Sequence, residues 1–331
     1  MMTLSDLSGP SNRSLLLVHG RDFKPGPDAY MDLSMASLRA GVERDYPAQV
    51  DSFDLLQKHF AWYGDLSAEI LTARGKTYDP DLDLGDRRNA LNALREIPAR
   101  KRFGIRQYDS LPGKSAIPEF IADVTAPVLG SVGLAMPILG LVAKDFAAYF
   151  NSKLDFAAKA RERIRTQLCA LMDRGDRIIL ITHGTGSVIA YDVLWELSND
   201  PGYADKYAKH KVELWLTLGA PLGDRNVQKR LLGARQKSDR RFPANVISWH
   251  NVAAEDDYTC HDNTIADDFG KMLTLRIVSS VKDYRVFNLA VRYGKSNPHS
   301  SVGYYIHPRT SKIIADWMQT ANTQAAPKYT F

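Results

Sequence analysis

"IILITHGTGSVIAYDVLW", residues 178–195, is the stretch that decides the fold. Ile178 to Thr182 is a short apolar run of the kind that forms a buried strand. Thr182-His183-Gly184-Thr185-Gly186 is a turn of small and polar residues, and Ser187 to Leu197 continues with helical spacing. A strand, a sharp turn and a helix packed into so few residues are the start of a strand–helix–strand unit.

The same alternation recurs on both sides. Leu15-Leu16-Leu17-Val18 predicts a buried strand that ends in the turn His19-Gly20. Asp32 to Arg44 has helical spacing of Leu33, Met35, Leu38 and Val42. Phe60 to Tyr63 predicts a second strand before Gly64-Asp65, and Asp145 to Asp173 a long helix. Val212 to Leu218 is a strand ending at Gly219-Ala220-Pro221. Asn245 to His250 and Val286 to Tyr293 are further strand candidates, and Ile313 to Met318 belongs to a terminal helix. Strands alternating with helices predict an α/β fold: a mostly parallel central sheet with helices on both faces. Ligands in such sheets sit beyond the carboxyl ends of the strands, where the glycine turns fall.

The 331 residues, 44% hydrophobic and 24% charged, are ordinary globular material with enough length for a substantial core. The net charge of +5 and pI near 9.0 favour anionic surfaces mildly. Two basic stretches stand out: Arg87-Arg88 with Arg100-Lys101-Arg102, and Lys229-Arg230 with Arg235, Lys237 and Arg240-Arg241. Interleaved Asp, Glu and Leu make them solvated helix faces; no nucleic-acid partner is expected, and attraction to anionic lipid headgroups stays open. Cys169 and Cys260 form no disulfide framework and no metal-ligand spacing, so they are expected as buried small side chains. The N-terminus has no charged segment followed by an apolar one, so a cytoplasmic protein is expected, although secretion by a leaderless route is compatible with the same sequence.

Residues 66–159 fit no regular sheet order and are expected as a cap or lid inserted in a core formed by 1–65 and 160–320, with 321–331 a loose tail. Within the insertion, Arg87 to Arg102 is a charged helix-like stretch and Val124 to Ala143 runs without a charge. That run is long enough to span a bilayer, but Pro127, Pro137, Gly130, Gly133 and Gly140 oppose a single straight helix. An apolar cap or a core-facing helix pair fits it better, with contact at a membrane surface as an intermediate reading.

"HGTGSVIAYD", "LLLVHGRD", "LWLTLGAPLG" and "NPHSSVGYYIHP" occur in that family's order in the α/β-hydrolase superfamily, and the chain resembles its serine esterase and lipase branch. The resemblance spans residues 13 to 317 apart from the insertion. It implies an ester hydrolase using a Ser-His-Asp mechanism on a small-molecule or lipid ester, without cofactor or metal, and the apolar insertion makes a hydrophobic acyl group the expected substrate. It implies a nucleophile at position 184, where serine is expected and Gly184 stands, a base at His299, and an acid at Asp257, with Asp256 the alternative. The oxyanion would be held by the backbone amides of Thr185 and Arg21, and His19 would tie the turns together. His307 is the rival histidine, and His250, His261 and Asp262 have no metal-ligand spacing. Glycine suits the strained conformation of such a turn but supplies no hydroxyl. Either an experimenter has replaced serine by glycine in an otherwise intact site, which is the preferred expectation, or the chain is a natural pseudohydrolase that binds a ligand or partner. A hydrolase that activates water directly through His299 is a third possibility. A strand–Gly-x-Gly–helix can also bind phosphate, yet the third glycine of a dinucleotide motif and the lysine of a phosphate loop are both missing.

Overall fold

The computed structural model describes residues 12–98, 100–113, 144–260 and 264–320. Six strands form one sheet: β1 (Arg13–Val18), β2 (Gln57–Ala61), β3 (Arg177–His183), β4 (Val212–Leu218), β5 (Val246–Ala254) and β6 (Ser280–Val286). Their order is β2-β1-β3-β4-β5-β6, and every neighbouring pair is parallel. The protein has an α/β fold.

Alternation along the strands explains the two layers. Leu16, Val18, Ile178, Leu180, Trp215 and Trp249 pack on one side with helices α3 (Phe156–Asp173) and α4 (Gly186–Asn199). Leu15, Leu17, Ile179, Ile181, Leu214 and Leu216 pack on the other, beneath α1 (Pro27–Asp45) and α6 (Pro308–Gln319). With both faces covered, β3 and β4 are buried from end to end, as the unbroken apolar runs in their sequences require. The indoles of Trp215 and Trp249 stack at 4.3 Å, and their N–H groups donate to Thr182 and Thr217 hydroxyls. The apolar bodies thus stay in the core while the polar edges are satisfied.

Several expected elements move: β2 is Gln57–Ala61 rather than Phe60–Tyr63, β5 runs on to Ala254, and three others change more. The last strand is Ser280–Val286, not Val286–Tyr293; only Val291–Arg292 pairs further on, antiparallel to Lys295–Ser296. β6 lies at the sheet edge and exposes Lys282 and Arg285, so its charges conceal it from an apolar search. The helix expected from Asp145 to Asp173 is interrupted: it runs Lys144–Tyr149 and resumes as α3. Asn151 turns the chain there, its side chain accepting from Lys153 N–H at 3.0 Å. The charged helix begins earlier and ends earlier than expected, as α2 (Pro80–Arg95). Pro80 fills its first turn, and the Asp79 carboxylate caps the Asp81 and Leu82 amides.

Arg87 corrects the reading of that stretch as a solvated face. It is buried, paired with Asp83 at 2.8 Å, and lies over the Tyr30 ring. Arg292 pairs with the same Asp83 at 2.5 Å and also with Asp86. This cluster joins α2 to the segment before His299. Leu91 and Leu94 add an apolar seam with Leu33, Val302 and Ile306. The uncharged run Val124–Ala143 lies outside the described residues, as does the tail from 321. Among the described residues no helix is long and apolar enough to cross a membrane.

Candidate active site

The sheet order reverses between β1 and β3: from β1 the chain goes out to β2 on one side and returns to β3 on the other. At such a switch point the loops leaving adjacent strands diverge and open a crevice. His19-Gly20 leaves β1 there, and Gly184-Thr185 leaves β3.

Gly184 adopts φ +54°, a left-handed conformation in which a side chain is strained. Its N–H bonds Leu218 O at 2.9 Å, extending the ladder to β4 by one step before α4 starts. A Cβ at this position would lie 3.1 Å from His299 Nε2 and 3.2 Å from its Cε1. Gly219 repeats the device at the end of β4, with φ +57°. A Cβ there would meet Asp257 Oδ2 at 2.8 Å, so this glycine leaves the carboxylate its space.

Asp257 follows β5 and His299 precedes the short helix α5 (Ser301–Tyr305). His299 Nδ1 stands 2.9 and 3.0 Å from the two carboxylate oxygens of Asp257. The carboxylate is buried and also accepts from the Tyr304 hydroxyl at 2.6 Å and Thr259 N–H at 3.0 Å. Tyr304 in turn accepts from Ala254 N–H at 2.9 Å. An acceptor-only carboxylate facing Nδ1 fixes the proton on that nitrogen, so the Nε2 lone pair is directed away from it. Burial alone would raise the Asp257 carboxyl, but His299 and the donors from Tyr304 and Thr259 outweigh it and hold the group below its ordinary value.

The structure therefore brings positions 184, 257 and 299 together. Asp256, the alternative acid, points elsewhere: it takes φ +60° and accepts from the Tyr108 hydroxyl at 2.9 Å. His307 is buried at the start of α6, where its Nδ1 accepts from Arg309 N–H as a helix cap. His19 is buried as well. Its Nε2 accepts from Tyr63 N–H at 3.1 Å and its Nδ1 lies 2.7 Å from Gly20 O, so it ties the end of β1 to the loop after β2. His183 was not singled out by its sequence, although it precedes Gly184. Its ring is 4.6 Å from that of His299, and its Nε2 bonds His299 O at 3.1 Å. Tyr304 carried no sequence signal either; only its place five residues after His299 marks it.

Thr185 is the N-cap of α4, where backbone amides have no intrahelical acceptor. The Ser187 and Val188 amides turn back to Gly184 and Thr185 carbonyls. Among the described residues the Thr185 and Gly186 amides have no backbone acceptor, and they lie at the helix's positive end. Arg21 begins the loop after β1, and its guanidinium pairs with Asp22 at 2.8 Å. Burial would raise Asp22, but Arg21, Lys24, Lys76 and His299 overcome it and lower the group. The hydroxyls of Thr182 and Ser187 are 2.8 Å apart and bonded to each other, with Trp215 donating to the first. Each of these hydroxyls is thus engaged with the other.

Burial of neutral histidines makes the fold acid-sensitive. Desolvation pushes His19 and His307 down to about 3 from 6.5, and His183 falls well below as well. Groups depressed in the folded state bind protons preferentially when unfolded. Their stabilisation is complete above pH 6.5 and is lost as the pH falls toward their folded values. Between pH 7 and pH 5, His19 and His307 should each remove about 2 kcal/mol. Thermal unfolding followed across that range checks this; a flat melting temperature contradicts it. Asp192 works in the opposite direction. Its burial raises it to about 7, so it favours the fold below pH 3.8 to a degree that fades as the pH climbs through 7.

Among the described residues no group of three or more His, Cys, Asp or Glu side chains is arranged to hold a metal, and His261 and Asp262 lie outside them. Both cysteines are free; Cys260 is buried as expected, whereas Cys169 is half-buried. No family model, no curated protein and no solved structure matches this chain.

Proposed function

We propose that this chain is built as a serine carboxylic-ester hydrolase of the α/β-hydrolase type, with the nucleophilic hydroxyl missing at position 184. The observation that carries the reading is the approach of His299 Nε2 to within 3.1 Å of a Cβ at that position, while Asp257 holds the opposite ring nitrogen. Base, orienting carboxylate and strained turn are all in register with a side chain that the residue does not have.

With serine at 184, His299 Nε2 would take the hydroxyl proton as Oγ bonded the ester carbonyl carbon. Asp257 would keep the imidazole oriented and stabilise its cation. The open amide of Thr185, with that of Arg21 opposite, would receive the developing oxyanion. Collapse would expel the alcohol, protonated by His299, and leave an acyl-enzyme. Water, deprotonated by the same histidine, would release the carboxylic acid and restore the hydroxyl. With glycine at 184 the first bond cannot form, which favours a second reading: the crevice as a ligand-binding or partner-interaction site of a pseudohydrolase.

Covalent labelling tests the first reading. An alkyl fluorophosphonate should add to the Gly184→Ser protein, displacing fluoride, and intact-mass and peptide mapping should find the adduct at position 184. The glycine protein should remain unmodified. A folded Gly184→Ser protein that takes no label removes the hydrolase reading and leaves the binding one.

A further inference from the structure

The second basic stretch encloses an open groove of about 460 Å³, lined by Arg225, Gln228, Lys229, Ala234, Arg235 and Arg241. Four of the six are cations and none is a carboxylate; the nearest acid bonded to the lining is Asp268, which accepts from Gln228 at 2.7 Å. Among the described residues none of the four cations forms an ion pair, in contrast to Arg87, Arg161, Arg165, Arg177 and Arg292 elsewhere. The nearest acid in sequence, Asp224, is turned inward as a cap for the Asn226 and Val227 amides.

The groove stands on a fixed backbone. Val227 and Leu231 are buried in the main core. Asp192 accepts from Leu232 N–H at 2.8 Å, the Trp195 indole donates to Arg240 O at 2.8 Å, and Asn199 donates to Phe242 O at 3.0 Å. All three partners lie on α4, so the backbone beside the groove cations is tied to one helix. Like charges so gathered repel, and a multiply charged anion turns the repulsion into attraction. Guanidinium forks match phosphate oxygens two at a time.

We propose that this groove binds a ligand carrying clustered phosphate groups, either a soluble polyphosphate compound or a multiply phosphorylated lipid headgroup. None of its lining residues belongs to the crevice at Gly184, and the proposal does not depend on the function assigned to that crevice.

Calorimetry of the full chain with inorganic tripolyphosphate should show binding that weakens as salt is raised. Replacing the four groove cations together (Arg225→Gln, Lys229→Gln, Arg235→Gln, Arg241→Gln) should weaken it at least about tenfold. The same charge removed from exposed positions on the other basic stretch (Arg95→Gln, Arg100→Gln, Lys101→Gln, Arg102→Gln) should change it less than about twofold. Melting curves verify that both variants fold. Co-sedimentation with phosphatidylcholine vesicles, with and without phosphatidylinositol bisphosphate, separates the sources. Groove-dependent sedimentation only with the phosphorylated lipid assigns the headgroup, and groove-dependent tripolyphosphate binding without it assigns a soluble ligand. The proposal is overturned if neither probe binds, if both quadruple variants lose binding equally, or if duplex DNA binds through the four residues more tightly than tripolyphosphate.

Discussion

Gly184→Ser should switch on ester hydrolysis, raising kcat/KM for activated acyl esters on the order of 10³-fold or more above the glycine protein. The expectation follows from what is already in place. His299 has its basic nitrogen 3.1 Å from the position of an added Cβ, so the imidazole needs to yield only a few tenths of an ångström to make room for it and stays within reach of a hydroxyl there. The same substitution should lower stability by about 1–3 kcal/mol, because φ +54° is unfavourable to any residue with a Cβ. Gly184→Ala separates the two effects: it carries the strain without the hydroxyl, and should be destabilised similarly while remaining inactive. Initial rates over a series of short and long acyl esters, beside denaturant unfolding, read both. If the serine and alanine variants are folded and equally silent, the crevice is a binding site and not a disarmed catalyst.

Burial decides which parts of the molecule are legible in the sequence. β3, β4 and their turns are buried on every side, so hydrophobic pattern and turn residues point the same way, and Val212–Leu218 is found to the residue. The edge strands β2 and β6 are half-polar, and each was displaced in the sequence reading. The proximity of 184, 257 and 299 was expected from family order, not from pattern. What could not be read were the partners that arise only when distant loops meet. Tyr304 reaches across to donate to Asp257 and accept from Ala254 N–H, and His183 packs against the His299 ring. Arg87 was misread for the same reason. Its charge pattern suited a wet helix face, but its carboxylate partner Asp83 is shared with Arg292, 209 residues from that acid along the chain.

The two neighbouring acids provide the second large effect. In the Gly184→Ser background, Asp257→Asn should cut kcat by about 10²–10⁴-fold with the fold retained. An amide in that place can donate to Nδ1, which turns the imidazole to the tautomer carrying its proton on Nε2, where it can no longer accept one from the hydroxyl. Asp256→Asn should change kcat less than about threefold, because its carboxylate faces Tyr108 and makes no bond to His299. Tyr304→Phe falls between them. It removes one donor to Asp257 and leaves Ala254 N–H without its acceptor, so it should affect stability and orientation together. The pH–rate profile distinguishes orientation from mere structural loss. Removing a donor to Asp257 leaves its carboxylate a stronger acceptor for the histidine cation, so the acidic limb of the Tyr304→Phe profile, where the imidazole must give up its proton to serve as base, should move to higher pH. An unmoved profile with a lower plateau would make Tyr304 a packing residue, and equal losses from Asp256→Asn and Asp257→Asn would remove the orienting role of the carboxylate altogether.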